Sequence, residues 1–132
     1  MKKENEMIIY SSLTRKREKF EPLLENQLKM YACGVTPYDE IHIGHARQAI
    51  VYDVIRTYYE YLGYKVNYIR NWTDVDDKII AKARLEGRES SEISERYIRE
   101  NSQDLKRLKL KKLITNQKLL NVYRILLSIY RF

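Results

Sequence analysis

The chain has 132 residues, 44% hydrophobic and 33% charged, with one cysteine and a formal net charge of +7. That length favours a single domain with room for a core, and a lone cysteine excludes an internal disulfide and suits a reducing cytosol. No apolar run reaches the roughly 18 residues of a membrane span, and the charged start MKKENEM leads into no apolar signal-peptide core.

In chain order, Met7–Leu13 is β-prone and reads as a short leading or edge strand. Thr14–Glu21 is charged, ends at Pro22 and reads as a solvated connection. Leu28–Gly34 is a second strand, with Met30, Ala32 and Gly34 on one side and Tyr31 and Cys33 on the other. Gly34 and Pro37 break it, and Thr36-Pro37-Tyr38-Asp39 reads as a turn. Ile43, Ala46, Ile50, Val54, Tyr58 and Leu62 then recur at steps of three and four, which predicts a long amphipathic helix stopped by Gly63. Tyr64–Arg70 is the next strand, so a βαβ unit with parallel pairing and a right-handed crossover is expected. The segment Asn71–Lys78 lies at the C-terminal end of that strand, the edge at which open α/β sheets place ligands. Asp76 and Asp77 favour the start of a helix over Lys78–Leu85 stopped by Gly87, and Ser90 or Ser91 caps a further helix running to about Leu108.

The remaining segment carries the basic character. After Asp104 there are eight basic residues and no acidic one, which leaves 17 basic against 18 acidic residues in positions 1–104. Leu113, Leu119, Leu120, Tyr123, Leu126, Leu127 and Tyr130 form an amphipathic stripe, so residues 111–132 are expected to be a basic helical tail, distinct from a body over 1–110. Its abrupt change of composition favours an unrelated or out-of-frame end over a partner-binding or membrane-surface helix.

His42 and His45 stand one turn apart where a loop meets a helix N-terminus, so both rings can face one anion at the positive end of the helix dipole. Taken alone, such a pair reads as a cap or a polar surface feature, and Gly44 as an ordinary loop-to-helix glycine. Cys33 alone reads as a small buried hydrophobe. Asp74, Asp76 and Asp77 suggest either a divalent-metal cluster or helix capping, with capping favoured. Arg47, Arg70 and Lys78 suit phosphate contacts or surface ion pairs equally, while Tyr52, Tyr58, Tyr59 and Tyr61 suit packing better than base stacking.

Three segments taken together go further: Tyr31-Ala32-Cys33-Gly34-Val35-Thr36-Pro37-Tyr38-Asp39, His42-Ile43-Gly44-His45-Ala46-Arg47, and Asn71-Trp72-Thr73-Asp74-Val75-Asp76-Asp77-Lys78. In this order they resemble the N-terminal part of the cysteinyl-tRNA synthetase family, class I aminoacyl-tRNA synthetases with a Rossmann-like, HUP-type catalytic domain. The resemblance covers residues 7 to 108 or so. It implies ATP-dependent activation of L-cysteine to cysteinyl-adenylate, followed by transfer to the cysteine tRNA, in a cytoplasmic and monomeric protein. It also implies His42 and His45 as catalytic residues, and Thr36, His42, Gly44 and His45 around ATP with its Mg²⁺. Gly34 and Thr73 are implied at the cysteine pocket, and Cys33 as a ligand of a Zn²⁺ that takes the substrate thiol and so tells cysteine from serine. Family members are several times longer. Their second half-sheet, lysine-bearing phosphate loop, other zinc ligands and anticodon-recognising region are not in this sequence, so catalytic weakness is expected of it. The alternatives are a related ligase that joins cysteine to an amino sugar, and a non-catalytic nucleotide- or RNA-binding or interaction remnant.

Overall fold

The computed structural model describes residues 7–110 and the backbone of residues 115–118. Eight elements follow in order: strands β1 (Ile8–Ser11), β2 (Lys16–Lys19) and β3 (Gln27–Val35), helix α1 (Ile43–Tyr61), strand β4 (Lys65–Trp72), helices α2 (Asp77–Glu86) and α3 (Ser90–Arg107), and strand β5 (Thr115–Lys118). The result is a mixed α/β arrangement with a three-stranded sheet in the order β3-β4-β5 and a separate β1-β2 ladder.

The expected βαβ unit is present. β3 and β4 pair in parallel from Gln27↔Lys65 to Ala32↔Arg70, and the register then shifts before Val35↔Trp72. α1 ends with Leu62 as its C-cap and Gly63 at φ 90°, a left-handed position that glycine adopts without a Cβ penalty. α2 ends in the same way on Gly87, at φ 64°.

Four expectations are corrected. Lys16–Lys19 lies inside the stretch read as a solvated connection, yet it is a strand paired antiparallel with β1. Its charged side chains carry no apolar alternation and the ladder is mostly exposed; the turn at Arg15, whose N–H donates to the Ser11 carbonyl at 2.8 Å, closes one end, and the Phe20 N–H bond to the Met7 carbonyl (2.8 Å) the other. The helical stripe of α1 is not its sheet-facing side. Ile43, Ile50, Val54 and Tyr58 are exposed, whereas Ala49, Arg56 and Tyr59 are buried. Positions 49, 52, 56 and 59 are also spaced by three and four, and this second face carries Ala49, small enough to sit against Val35 and Trp72, and Tyr59, which meets Leu28 and Ala32. Glu89 and neither serine holds the N-cap position of α3, without a side-chain bond to the helix, and both serines lie inside its first turn. Finally, Thr115–Lys118 in the expected helical tail is a strand parallel to β4; the rest of the tail reading lies outside the described residues.

The core has three centres. Leu28, Ala32, Tyr59, Val66 and Tyr68 fill one end of the β3–β4–α1 sandwich. Val35, Ala49, Trp72 and Leu105 join the C-terminal strand ends to α3. Ile79, Ala83, Ile93 and Tyr97 hold α2 to α3, with Tyr38 from the loop before α1 packed against them. The last two centres bring α2 and α3 against the segment that leads into α1.

Candidate functional site

β3 delivers the loop 36–42 to the start of α1. Pro37 is fully buried, Tyr38 packs on the α2–α3 centre, and Ile41 packs against the Val35–Trp72 centre. His42 is the N-cap of α1. Its ring folds back over the first turn, where Nδ1 accepts from the Gly44 N–H at 3.1 Å. In return, Nδ1 of His45 accepts from the His42 N–H at 3.2 Å. This is a capping box in which two imidazoles replace the usual hydroxyl and carboxylate. The rings stack, with centroids 3.9 Å apart and planes 27° apart.

That geometry fixes the proton positions. A ring nitrogen that accepts carries no hydrogen, so each neutral ring holds its proton on Nε2 and offers it as a donor away from the cap. Burial lowers the His45 pKa below its ordinary value, and the neighbouring His42 and Arg70 lower it further. The neutral His45 ring is therefore the resting form, and the Nε2–H groups that the cap leaves over stand at the positive end of a 19-residue helix.

Gly44 makes the fold-back possible. A Cβ there would lie 2.8 Å from Cε1 and 2.9 Å from Nδ1 of His42, too close for the ring to stay. Gly34 is constrained more severely, because a Cβ there would overlap the backbone carbonyl of Asn71. At this register shift β3 and β4 touch backbone to backbone, and the Gly34 N–H donates to Asn71 Oδ1 at 2.7 Å. Asn71 Nδ2 donates in turn to Thr73 Oγ1 at 3.2 Å, and the Thr73 N–H donates to the Val35 carbonyl at 3.1 Å. Gly34 and Thr73 are thus joined through one buried amide, Asn71, whose role no residue pattern around it betrays.

Cys33 is exposed, not buried as a small hydrophobe. Arg70 is buried and donates to Gln48 Oε1 at 3.2 Å. Burial lowers its pKa, and Cys33 is among the groups that oppose this, so one guanidinium is felt by both Cys33 and the His45 ring. Among the described residues no group of three or more His, Cys, Asp and Glu side chains is placed to hold a metal ion. A single thiol does not make a zinc site, so no step is derived through zinc.

The remaining candidates have structural partners. Thr36 accepts from the Tyr38 N–H through its carbonyl, at 3.0 Å. Asp39 Oδ1 accepts from the Glu40 N–H at 3.0 Å. Asp76 is the N-cap of α2, accepting from the Lys78 N–H at 2.9 Å, and Asp77 lies in the first turn, where its charge complements the helix dipole. Lys78 sits over the Tyr38 ring, 5.3 Å from its centroid. Arg47 is exposed. Tyr52 stacks on Tyr68 and Tyr59 meets Phe20 and Tyr64 edge-on, as packing residues do, whereas Tyr61 is exposed.

A parallel βαβ unit whose first strand feeds a helix start through a short loop is an arrangement found in α/β catalytic domains. The chain matches the family described as tRNA synthetases class I (C) catalytic domain over residues 19–129, and it belongs to that family, the cysteinyl-tRNA synthetases. Among similar proteins is the cysteine–tRNA ligase of Lachnospira eligens, 53% identical over 110 residues, which are 83% of this chain and 23% of that protein. Those of Gloeothece citriformis and Archaeoglobus fulgidus are 48% and 50% identical, over 80% of this chain and 22% and 23% of their own lengths. The chain therefore spans less than a quarter of the length of these relatives.

Proposed function

We propose that the chain is the nucleotide-facing, N-terminal part of a cysteine–tRNA ligase with a Rossmann-like, HUP-type fold, acting in the cytoplasm as a monomer. In the proposed reaction a carboxylate oxygen of L-cysteine attacks the α-phosphorus of ATP. The bond from that phosphorus to the bridging oxygen breaks, and pyrophosphate leaves with the electron pair. A ribose hydroxyl of the terminal adenosine of the cysteine tRNA then attacks the acyl carbon and displaces AMP.

The observation that carries this reading is the cap at the start of α1, where the stacked His42 and His45 rings both accept at Nδ1 and so keep their protons on Nε2. Charge builds on phosphate oxygens during the transfer, and fixed donors beside the helix dipole stabilise it without reorganising. The neutral His45 ring suits the task, since it donates without needing to take up a proton first. The proposed amino-acid side lies at Gly34 and Thr73, joined by Asn71. Zinc enters no step assigned to these residues.

Two measurements test this. Mg²⁺·ATP is titrated into the chain and into His45→Ala, with binding expected in the first and weakened on the order of 10- to 100-fold in the second, one hydrogen bond to a charged group being worth about 1.5–3 kcal/mol. ATP, L-cysteine and cysteine tRNA are then supplied together. Turnover equal to that of a full-length relative would refute the reading that these residues form only part of the site.

A further inference from the structure

We propose that Asn101 of α3 is the positioning residue for the paired imidazoles, acting through the backbone of the loop that precedes them. The inference rests on the reading of His42 and His45 given above. Asn101 has no exposed surface at all, and it lies 59 residues beyond His42 in the chain. Its Oδ1 accepts from the Ile41 N–H at 3.1 Å, and its Nδ2 donates to the Asp39 carbonyl at 3.1 Å. One amide thus holds a donor and an acceptor two residues apart, on the segment immediately before the N-cap.

The consequence follows from the cap itself. His42 is a good N-cap only while its backbone stays extended, at φ −117° and ψ 176°, because this aims its own N–H at His45 and its ring at the Gly44 N–H. Neither ring is held by packing as a core side chain would be, for His42 is exposed and His45 half-buried. The direction in which the chain enters α1 therefore decides whether the box closes. Tyr38 and Ile41 fix the depth of the loop by apolar contact, which has no direction. The two hydrogen bonds of Asn101 supply the direction. An amide with both its groups committed at a fully buried position cannot rotate without stranding one of them.

The test uses the whole chain, whose two histidines make their ring signals easy to assign. In the unmodified chain a nuclear Overhauser contact joins the two rings, and the Gly44 amide exchanges slowly with solvent. In Asn101→Ala the far-UV circular dichroism is retained, the contact between the rings is lost, and Gly44 exchange accelerates on the order of tenfold, as loss of about 1.4 kcal/mol of local stability requires. Val66→Ala, a core truncation among Leu28 and Tyr59 and away from the loop, lowers the unfolding midpoint but leaves both signals in place. Unchanged ring contact and Gly44 exchange in Asn101→Ala, or their equal loss in Val66→Ala, would overturn the proposal. Should Asn101→Ala not fold, the Ile41 amide of the unmodified chain decides: protection like that of α3 supports the clamp, and exchange at the rate of an unstructured peptide overturns it. Absence of ATP binding in the unmodified chain would defeat the nucleotide reading, whereas the ring contact and exchange rates report on Asn101 regardless.

Discussion

Replacing Gly44 with alanine separates folding from binding at the helix start. Gly44 does not have a positive φ, so backbone freedom is not what alanine removes. What it removes is room: the new Cβ would sit 2.8 Å from His42 Cε1, about half an ångström short of ordinary contact. The obstructing atoms are the free end of an exposed ring, which swings aside at little cost. In doing so the ring gives up the 3.1 Å bond from the Gly44 N–H and its stack on His45. Loss of the cap costs about 1 kcal/mol, while alanine in place of glycine in a helix returns about 0.5–1 kcal/mol. The net change in stability is within about 1 kcal/mol of zero. Binding has no such compensation, because the displaced ring no longer aims its Nε2–H at the phosphates, and Mg²⁺·ATP affinity falls on the order of 10- to 100-fold. Urea unfolding followed by the buried Trp72, beside calorimetric titration with Mg²⁺·ATP, reads both quantities on one sample. A stable Gly44→Ala chain that binds ATP as the unmodified one does would show that the placement of the His42 ring is irrelevant to the nucleotide.

Gly34→Ala should behave in the opposite sense. Its Cβ meets the backbone carbonyl of Asn71 and not a mobile ring end, so the strands must part and the cost is on the order of 3 kcal/mol, read as a lower urea midpoint; a change under about 0.5 kcal/mol would refute the close approach. Acid should weaken the fold through His45. Its folded pKa lies below the ordinary 6.5, so the unfolded chain takes up the proton more readily. Its contribution is complete above about pH 6.5 and is lost as pH falls through the folded value, as protonated Nδ1 can no longer accept from the His42 N–H. His45→Gln lacks this titration, so stability against pH for the two chains should diverge below about pH 6.5, and parallel curves would show that His45 is not held neutral.

The parts of this fold legible in the sequence are those whose signal is local. Gly63 and Gly87 mark helix ends because a left-handed residue closes each helix, and Asp76 marks the start of α2 because its side chain reaches the Lys78 N–H. The parallel pairing of β3 and β4 was legible from strand–helix–strand order alone. The sheet-facing side of α1 was not, because this helix is apolar on two sides and periodicity cannot say which meets the sheet: Ile50 and Val54 look more hydrophobic than Ala49 and Arg56, yet are more exposed. β2 was hidden because a charged strand paired only with β1 has no burial pattern to betray it. At the site, the type and spacing of His42 and His45 point by themselves only to a cap, which the structure has, and their proposed part in binding comes from the company of the flanking segments. Asn71 and Asn101 carry no such signal, since an asparagine has the same letter whether it faces solvent or joins distant backbone groups.

The hidden asparagine at 71 imposes a polarity on the proposed amino-acid side. Its Oδ1 is committed to the Gly34 N–H, so its Nδ2 must face Thr73. The Thr73 oxygen therefore accepts from Asn71, and its own proton is left to point elsewhere. A hydroxyl in that state keeps its own proton and one lone pair for an incoming group. Beside it, Gly34 cannot carry a side chain for a reason that lies wholly within the sheet, because the Asn71 backbone fills the place a Cβ would take. The two halves of the candidate site are thus held by different means: backbone contact and a buried amide fix the Gly34–Thr73 side, while a cap reached through a loop fixes the His42–His45 side. The first can be damaged only at a large cost in stability, and the second can be disarmed with almost none.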